Sequence, residues 1–514
     1  MRIRPLIAAS AIVVVASLGL AGCSGTDGSA DGSDATSADL TLTIGAIAAP
    51  TTFSPQESAD GPAVQWFQPS YDTLIHQKPD GEFEPMIADS WEYDDTNTVL
   101  TFHLHDGVTF ASGGELDASV VEANLEATRD GSGALAAQLA SIEDVVVVDP
   151  QTVELHLVAP DPALMRTLSQ PSGMMTKTEK IGSPDLATEP DGTGPYVLDM
   201  DKTVSGSEYV FEKRDDYWNT NLELPYDTIV MKPMTDITAR VNALASGQID
   251  ATTIDNKSME TVKGSGANVI TFPAAGVVGL FLFDRAGAIQ PALGDVRVRQ
   301  AINMALDRDG MLKSLRSGLG TVTEQVFNPQ SDVWDKSLND TYDFDPAAAK
   351  KLLAEAGFPN GFTIQIPDIT AGFPEGNIIA QQLADIGITV EWVQVAQTEL
   401  FGAMLSGQYP VILMQLQSTE PWQAVQFFIA PQAGWNPLHS QDPELDALIE
   451  SAQLAPAGDE QTAAFQKVSQ WLVENAWYAP LYFPDNIYAT SKDVVATPQI
   501  MQGVPSIYNY APAE

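Results

Sequence analysis

Few residues in this chain are equipped for chemistry, and their spacing narrows what that chemistry can be. Cysteine occurs once in 514 residues, at Cys23, so an internal disulfide, a Cys-based metal site and a cysteine nucleophile further along are all excluded. Histidine occurs five times, at His76, His103, His105, His156 and His439. His103 and His105 alternate along one strand-like stretch and so share a face, which offers two metal ligands; the alternative is a solvated sheet face, and no metal is expected. Gly-x-Ser-x-Gly, His-Glu-x-x-His and the phosphate-binding Gly-Lys loop are absent. Gly131-Ser132-Gly133-Ala134-Leu135-Ala136 has the letters of a dinucleotide fingerprint. It follows a helical pattern rather than a strand, so its glycines would not set a pyrophosphate on a helix N-terminus. Carboxylates are too numerous for any two to be singled out as a glycosidase pair. Neither a catalytic constellation nor a cofactor is expected.

The single thiol stands in a telling place. Arg2 and Arg4 precede an apolar, small-residue run over 5–22, which reads as a secretory signal rather than a structural helix. The run ends Leu20-Ala21-Gly22-Cys23. That resembles a bacterial lipobox, where a signal peptidase cuts before the cysteine and the thiol receives a diacylglycerol. The alternative is a plain transmembrane anchor with Cys23 incidental. Two or three acyl chains hold a protein on a membrane far more firmly than one. Lipidated Cys23 would then open a tether to residue 39, in which 24–39 are only Ser, Gly, Asp, Ala and Thr, a flexible composition. No second long apolar run follows.

The formal charge is −43, and loss of Arg2 and Arg4 with the leader makes it more negative still. Such a chain is repelled by nucleic acid and by anionic lipid head groups. About 475 residues follow the tether, too many for one core. Strand and helix patterns alternate along them. LTLTIGAI (40–47) reads as a buried strand and TVLTFHLH (98–105) as a half-buried one. Residues 116–130 read as a helix capped by Asp117, and 295–311 as one continuous helix. In FDPAAAKKLLAEAGF, Asp345 is placed to cap, Pro346 stands at the first helical position and Gly357 just past the end. APLYF (479–483) reads as a strand. The alternation argues for an α/β fold of more than one lobe.

Several blocks resemble one family. Tyr71-Asp72-Thr73-Leu74-Ile75 is followed by EPMIADSWE (84–92), then by TFHLHDGVTFASGGELDASVV (101–121). Gly192-Thr193-Gly194-Pro195-Tyr196, Tyr217-Trp218, DVRVRQAINMALDR (295–308) and AAKKLLAEAGFPNGF (348–362) come after it in order. Together they resemble the extracellular solute-binding proteins of peptide and nickel ABC importers, family 5, from about residue 40 to 495. Two departures stand out, His105 for the usual Arg and Ser112-Gly113 for Asp-Gly. The resemblance implies a bilobed periplasmic-binding-protein-like α/β fold with an extra subdomain on the first lobe. Lobe I would comprise 40–70, 193–285 and 485–514, the subdomain 71–192 and lobe II 286–484, with chain crossings near Asp284 and Asp485. It also implies a small solute, most simply a peptide, bound by a monomer between the lobes, with ABC permease subunits and the membrane as partners; the alternatives are a nickel chelate or an oligosaccharide on the same scaffold, or a sensory or extracytoplasmic enzyme role.

Dipeptide-binding relatives pair an acid of the second lobe with the ligand amine. The resemblance puts Glu420, in Ser418-Thr419-Glu420-Pro421-Trp422, nearest that place. No counterpart of the relatives' carboxylate-binding Arg is found, and residues 352–466, a run of 115, contain neither Lys nor Arg. A buried ligand carboxylate needs a paired charge or several donors, so a neutral or cationic ligand, or a peptide held by its backbone, is expected. Arg166 or Lys202 of the first lobe is the cation able to upset that. Thr52 and Phe53 lie where the chain leaves the first strand, a usual place for ligand contacts in open α/β sheets. Trp66, Trp422 and Trp435 are candidates to line the cleft, with core packing as the alternative. Ser172 and Met174 are weaker candidates, as is Asn436, near His439, the histidine a nickel-chelate reading would need.

Overall fold

A computed structural model describes residues 39–58, 61–133, 135–396 and 398–513. Cys23, the signal stretch and most of the tether lie outside them. The main sheet has ten strands: β1 (Thr41–Ala46), β2 (Tyr196–Leu198), β3 (Tyr209–Lys213), β4 (Thr228–Pro233), β5 (Ala251–Ile254), β6 (Asn268–Pro273), β7 (Gly276–Leu282), β8 (Gly320–Val322), β9 (Val411–Gln417) and β10 (Ala479–Thr490). They follow the order β9-β7-β10-β5-β1-β4-β3-β2, with β6 and β8 also paired to β10. β1 runs parallel to β4 and β5, while β10 is antiparallel to all its partners.

The 12-residue β10 is the structural spine. Its first half, Ala479–Phe483, packs into a core formed almost wholly by residues 277–483, called the second core because it follows the β1 core along the chain. Beyond Pro484, Ile487, Tyr488 and Ala489 face two other cores, one built on β1, β3 and β4 and the other around Val241–Val262. A fourth core spans Leu74 to Met175 and backs an antiparallel four-stranded sheet of Ala88–Tyr93, Val99–Leu104, Thr152–Leu157 and Ile142–Asp149. β10 changes partners at Pro484. It pairs with β7 and β8 before it and with β5 and β6 after it.

One local expectation needs correction. The pattern over 295–311 forms two helices, Val296–Met304 and Arg308–Arg316. Asp307 breaks it by capping the second helix, its carboxylate accepting from the Gly310 N–H at 2.8 Å, a satisfaction of end donors that a continuous helix would not require. Val277–Phe283 pack in the second core. Asp284 anchors the loop after β7, accepting from the N–H groups of Ala288, Ile289 and Gln290. Elsewhere the local signals hold. Asp117 accepts from Ser119 and Val120 at the start of Ala118–Arg129. Asp345 accepts from Ala348, Pro346 opens its helix and Gly357 adopts φ 100°.

The Gly192-Thr193-Gly194 block has a mechanical role. Residues 192–194 return from the four-stranded subdomain directly against Ser70-Tyr71, where the chain enters it. Gly194 N–H donates to Ser70 O at 3.0 Å and Tyr196 N–H to Pro69 O at 2.7 Å. Arg214, 7% exposed, donates to the carbonyls of Thr109, Thr193 and Gly194. Asp72 is wholly buried beside this junction and accepts from Tyr217 Oη at 2.9 Å and Trp218 Nε1 at 2.8 Å.

Candidate functional site: a glutamine-rich cleft

Two adjoining cavities lie where the second core faces the subdomain and the C-terminal segment. The larger, about 370 Å³, is walled by Gln77, Asp80 and Glu82 on one side and by Gln330, Asp332, Glu420, Trp422 and Phe465 on the other. The smaller, about 170 Å³, is lined by Gln138, Arg166, Gln170, Gln417, Gln423 and Phe427, among others. Met501 borders both.

The C-terminal segment ties these walls together. Gln499 Nε2 donates to the carbonyls of Gln77 and Lys78, and Gln502 Nε2 to Gln170 Oε1 at 2.7 Å. Met501 N–H donates to Gln330 Oε1 at 3.2 Å. Met501 holds a φ of 53°, a left-handed conformation that costs free energy for a non-glycine residue and is found where surrounding structure imposes it. Two further hydrogen bonds link the same parts: Gln453 Nε2 to Pro160 O and Gln423 Nε2 to Thr167 Oγ1. The Asp161 carboxyl is raised above its ordinary value, chiefly by burial.

β9 and the turn after it deliver the second wall. β9 ends at Gln417, the short helix Pro421–Ala424 follows, and a single π turn over Val425–Ile429 continues it. Such turns shift side-chain register within a helix and recur at functional sites. The result sets Gln423, Gln426 and Phe427 toward the smaller cavity and Trp422 toward the larger. Glu420 caps no backbone N–H with its side chain. Burial raises its carboxyl above the ordinary value, the Arg166 charge opposes that, and Asp332 reinforces it. Arg166 is 4% exposed and donates to Gln77 Oε1 at 2.9 Å and Met501 O at 3.3 Å. The cleft therefore does receive a first-lobe cation, against the expectation from the Lys- and Arg-free stretch. Lys202 does not join it, pairing with Asp199 and Glu212 on the surface.

The structure divides the candidate residues. Glu420 and Trp422 line the larger cavity. Thr52 and Trp66 line a separate one of about 280 Å³ beside β1. Ser172 Oγ donates to Gln138 Oε1, whose residue lines the smaller cavity. Phe53 and Met174 are packed in the β1 core, Phe53 edge-on to Phe67, Tyr209 and Phe211. Trp435 packs against Phe401 and Phe427 in the second core. Asn436 is wholly buried and clamps its loop through Ala430 O, Ser440 O and Ser440 N–H. None of these four borders the two cleft cavities, because large apolar side chains and self-satisfied amides are worth more inside a core. His439 is exposed, bonded to Pro431 O. Among the described residues no group of three His, Cys, Asp or Glu could hold a metal.

Sequence reasoning missed the glutamines. The signal was present in part, since Gln415, Gln417, Gln423 and Gln426 cluster around Glu420. Gln77, Gln138, Gln170 and Gln502 carry no local mark and are united only by the fold. Side-chain amides offer donors and acceptors together, so this lining suits a ligand rich in both, such as a peptide backbone.

The chain is 27% identical over 347 residues to the glutathione-binding protein GsiB of Salmonella paratyphi A, covering 66% of each chain. Its fold matches the ABC transporter substrate-binding protein CtaP of Listeria monocytogenes, with TM-score 0.79 and 22% identity over 93% of this chain and 100% of that one. It also matches a dipeptide-binding protein of Pseudoalteromonas sp. SM9913 in complex with Met-Leu, with TM-score 0.74 and 21% identity over 92% and 100% of the two chains. The fold is thus the bilobed α/β fold of periplasmic binding proteins, and no helix among the described residues is long and apolar enough to cross a membrane. The family model for bacterial extracellular solute-binding proteins, family 5 middle region, spans residues 82–436, and the chain belongs to that family.

Proposed function

We propose that this protein is the lipid-anchored substrate-binding subunit of an ABC importer, capturing a peptide or similar small solute in the glutamine-rich cleft and delivering it to membrane permeases. The observation that carries this reading is the pair of adjoining cavities walled by the subdomain, the second core and the C-terminal segment together. A ligand there touches the subdomain, the second core and the C-terminal segment, so binding can be coupled to relative movement of those parts. We place the lobes as the resemblance implies, with the hinge strands crossing at Ala274–Ala275 and at Pro484–Asn486. The test is recovery of the ligand. Protein purified from its own host and then denatured should release one small solute in stoichiometric amount, detected by mass spectrometry. The same solute, added back, should be recovered unchanged after prolonged incubation. Conversion to a product would replace the transport reading with an enzymatic one.

Anchoring rests on Cys23 alone. Cys23→Ser should release the protein from the membrane fraction or leave an uncleaved precursor, read by fractionation and intact mass. A variant that is processed and fractionates like the wild type would overturn the anchor.

A further inference from the structure

The larger cavity has an uneven charge. Four carboxylates border it, Asp80, Glu82, Asp332 and Glu420, and no Lys or Arg does. Two cations face the group from outside the lining. Lys78 pairs with Glu82, and Arg166, in the adjoining cavity, acts on Glu420. Asp80 accepts the Glu82 N–H. Asp332 has no ion-pair partner among the described residues, and its charge bears unfavourably on Glu420. The wall from Glu420 to Phe465 has no cation of its own to supply, because it falls in the stretch without Lys or Arg.

A second observation is independent of charge. Trp422 borders the same cavity, is 8% exposed, and its Nε1–H has no acceptor among the described residues. A buried indole N–H left unpaired costs free energy that a ligand carbonyl would recover. The Trp422 and Phe465 rings stand edge to face, with centroids 6.4 Å apart, and both border the cavity. Aromatic faces beside carboxylates are the recurring surroundings of bound organic cations.

We propose that this cavity is a subsite for the alkylammonium or guanidinium group of the solute, so that the protein selects basic peptides over acidic ones. The inference rests on the cleft being the ligand site. A peptide carbonyl would accept from Trp422 Nε1–H, and the neighbouring cationic side chain would lie between Glu420 and Asp332 on one wall and Asp80 on the other. This preference is opposite in sign to that expected for glutathione, which carries two carboxylates.

Calorimetric titration of trilysine, trialanine and triglutamate into protein freed of solute by unfolding and refolding tests this. Trilysine should bind about tenfold or more tighter than trialanine, and triglutamate about tenfold or more weaker. Asp332→Asn, an exposed change, and Glu420→Gln should each reduce the ratio of trilysine to trialanine affinity, whatever either change does to trialanine binding alone. Equal binding of all three peptides, or a trilysine preference that survives both substitutions, overturns the cationic subsite and leaves the cleft as the ligand site. Binding of none of the three, with a non-peptide solute recovered from the host, overturns the peptide reading and the subsite together.

Discussion

Gly194→Ala should destabilise the protein by about 3 kcal/mol, at the upper end of the usual cost of overpacking. An added Cβ would meet the Ser70 carbonyl carbon and the Tyr71 nitrogen at 2.4 Å each, and Pro69 O at 2.8 Å. All three are backbone atoms and cannot rotate away as a side-chain tip can. They are also held in place, since Gly194 and Tyr196 donate to Ser70 O and Pro69 O and Arg214 grips the Thr193 and Gly194 carbonyls. Relief would require prising apart the junction at which the chain enters and leaves the subdomain. Gly264→Ala is the matched control. Gly264 ends the helix Met259–Gly264 with nothing within 4 Å of an added Cβ, so the same change there should be neutral or stabilising by up to about 1 kcal/mol. Urea midpoints for the two variants decide it. An unchanged midpoint for Gly194→Ala would mean that the junction is not held as the structure shows.

The second large effect concerns Asp72 and pH. Burial lifts its carboxyl from the ordinary 3.8 to about 6, against the opposing hydrogen bonds from Trp218 and Tyr217 and the charge of Arg214. The folded state therefore holds the Asp72 proton more tightly than the unfolded chain does. The resulting stabilisation is fully present below about pH 4 and is lost as pH rises through 6. A shift of this size corresponds to about 3 kcal/mol. Asp72→Asn removes the titration while keeping the shape, because the amide can accept from Trp218 Nε1–H and donate to the Tyr217 oxygen. Between pH 4 and pH 7.5 the wild type should lose about 2.5 kcal/mol more than Asp72→Asn does. Taking the difference between the two proteins cancels the titration of the many other carboxylates. Equal pH dependence of the two urea midpoints would show that Asp72 does not titrate in this range.

The alternation of strand and helix patterns, the caps and the block order were enough to determine the fold class and the family. Asp117, Asp345 and Gly357 act through bonds to their own neighbours, so sequence proximity carries the whole signal. Glu420 and Trp422 were also legible, because the family pattern marks one local segment and that segment forms one wall of the cavity.

What the tertiary structure alone decided is non-local. APLYF reads as a short strand stopped at Pro484, yet the strand runs on to Thr490, because each half finds its own partner strands and Pro484 falls at the exchange. Phe53, Trp435 and Glu420 look equally available in the chain. Burial area draws the two aromatics into cores, while the carboxylate, which has no partner there to offset its desolvation, stays at the cavity. Arg166, Gln77 and Met501 come from three distant stretches and meet through two hydrogen bonds. No local pattern could reveal that meeting, since it exists only after β10 and the C-terminal segment have brought the walls of the cleft together.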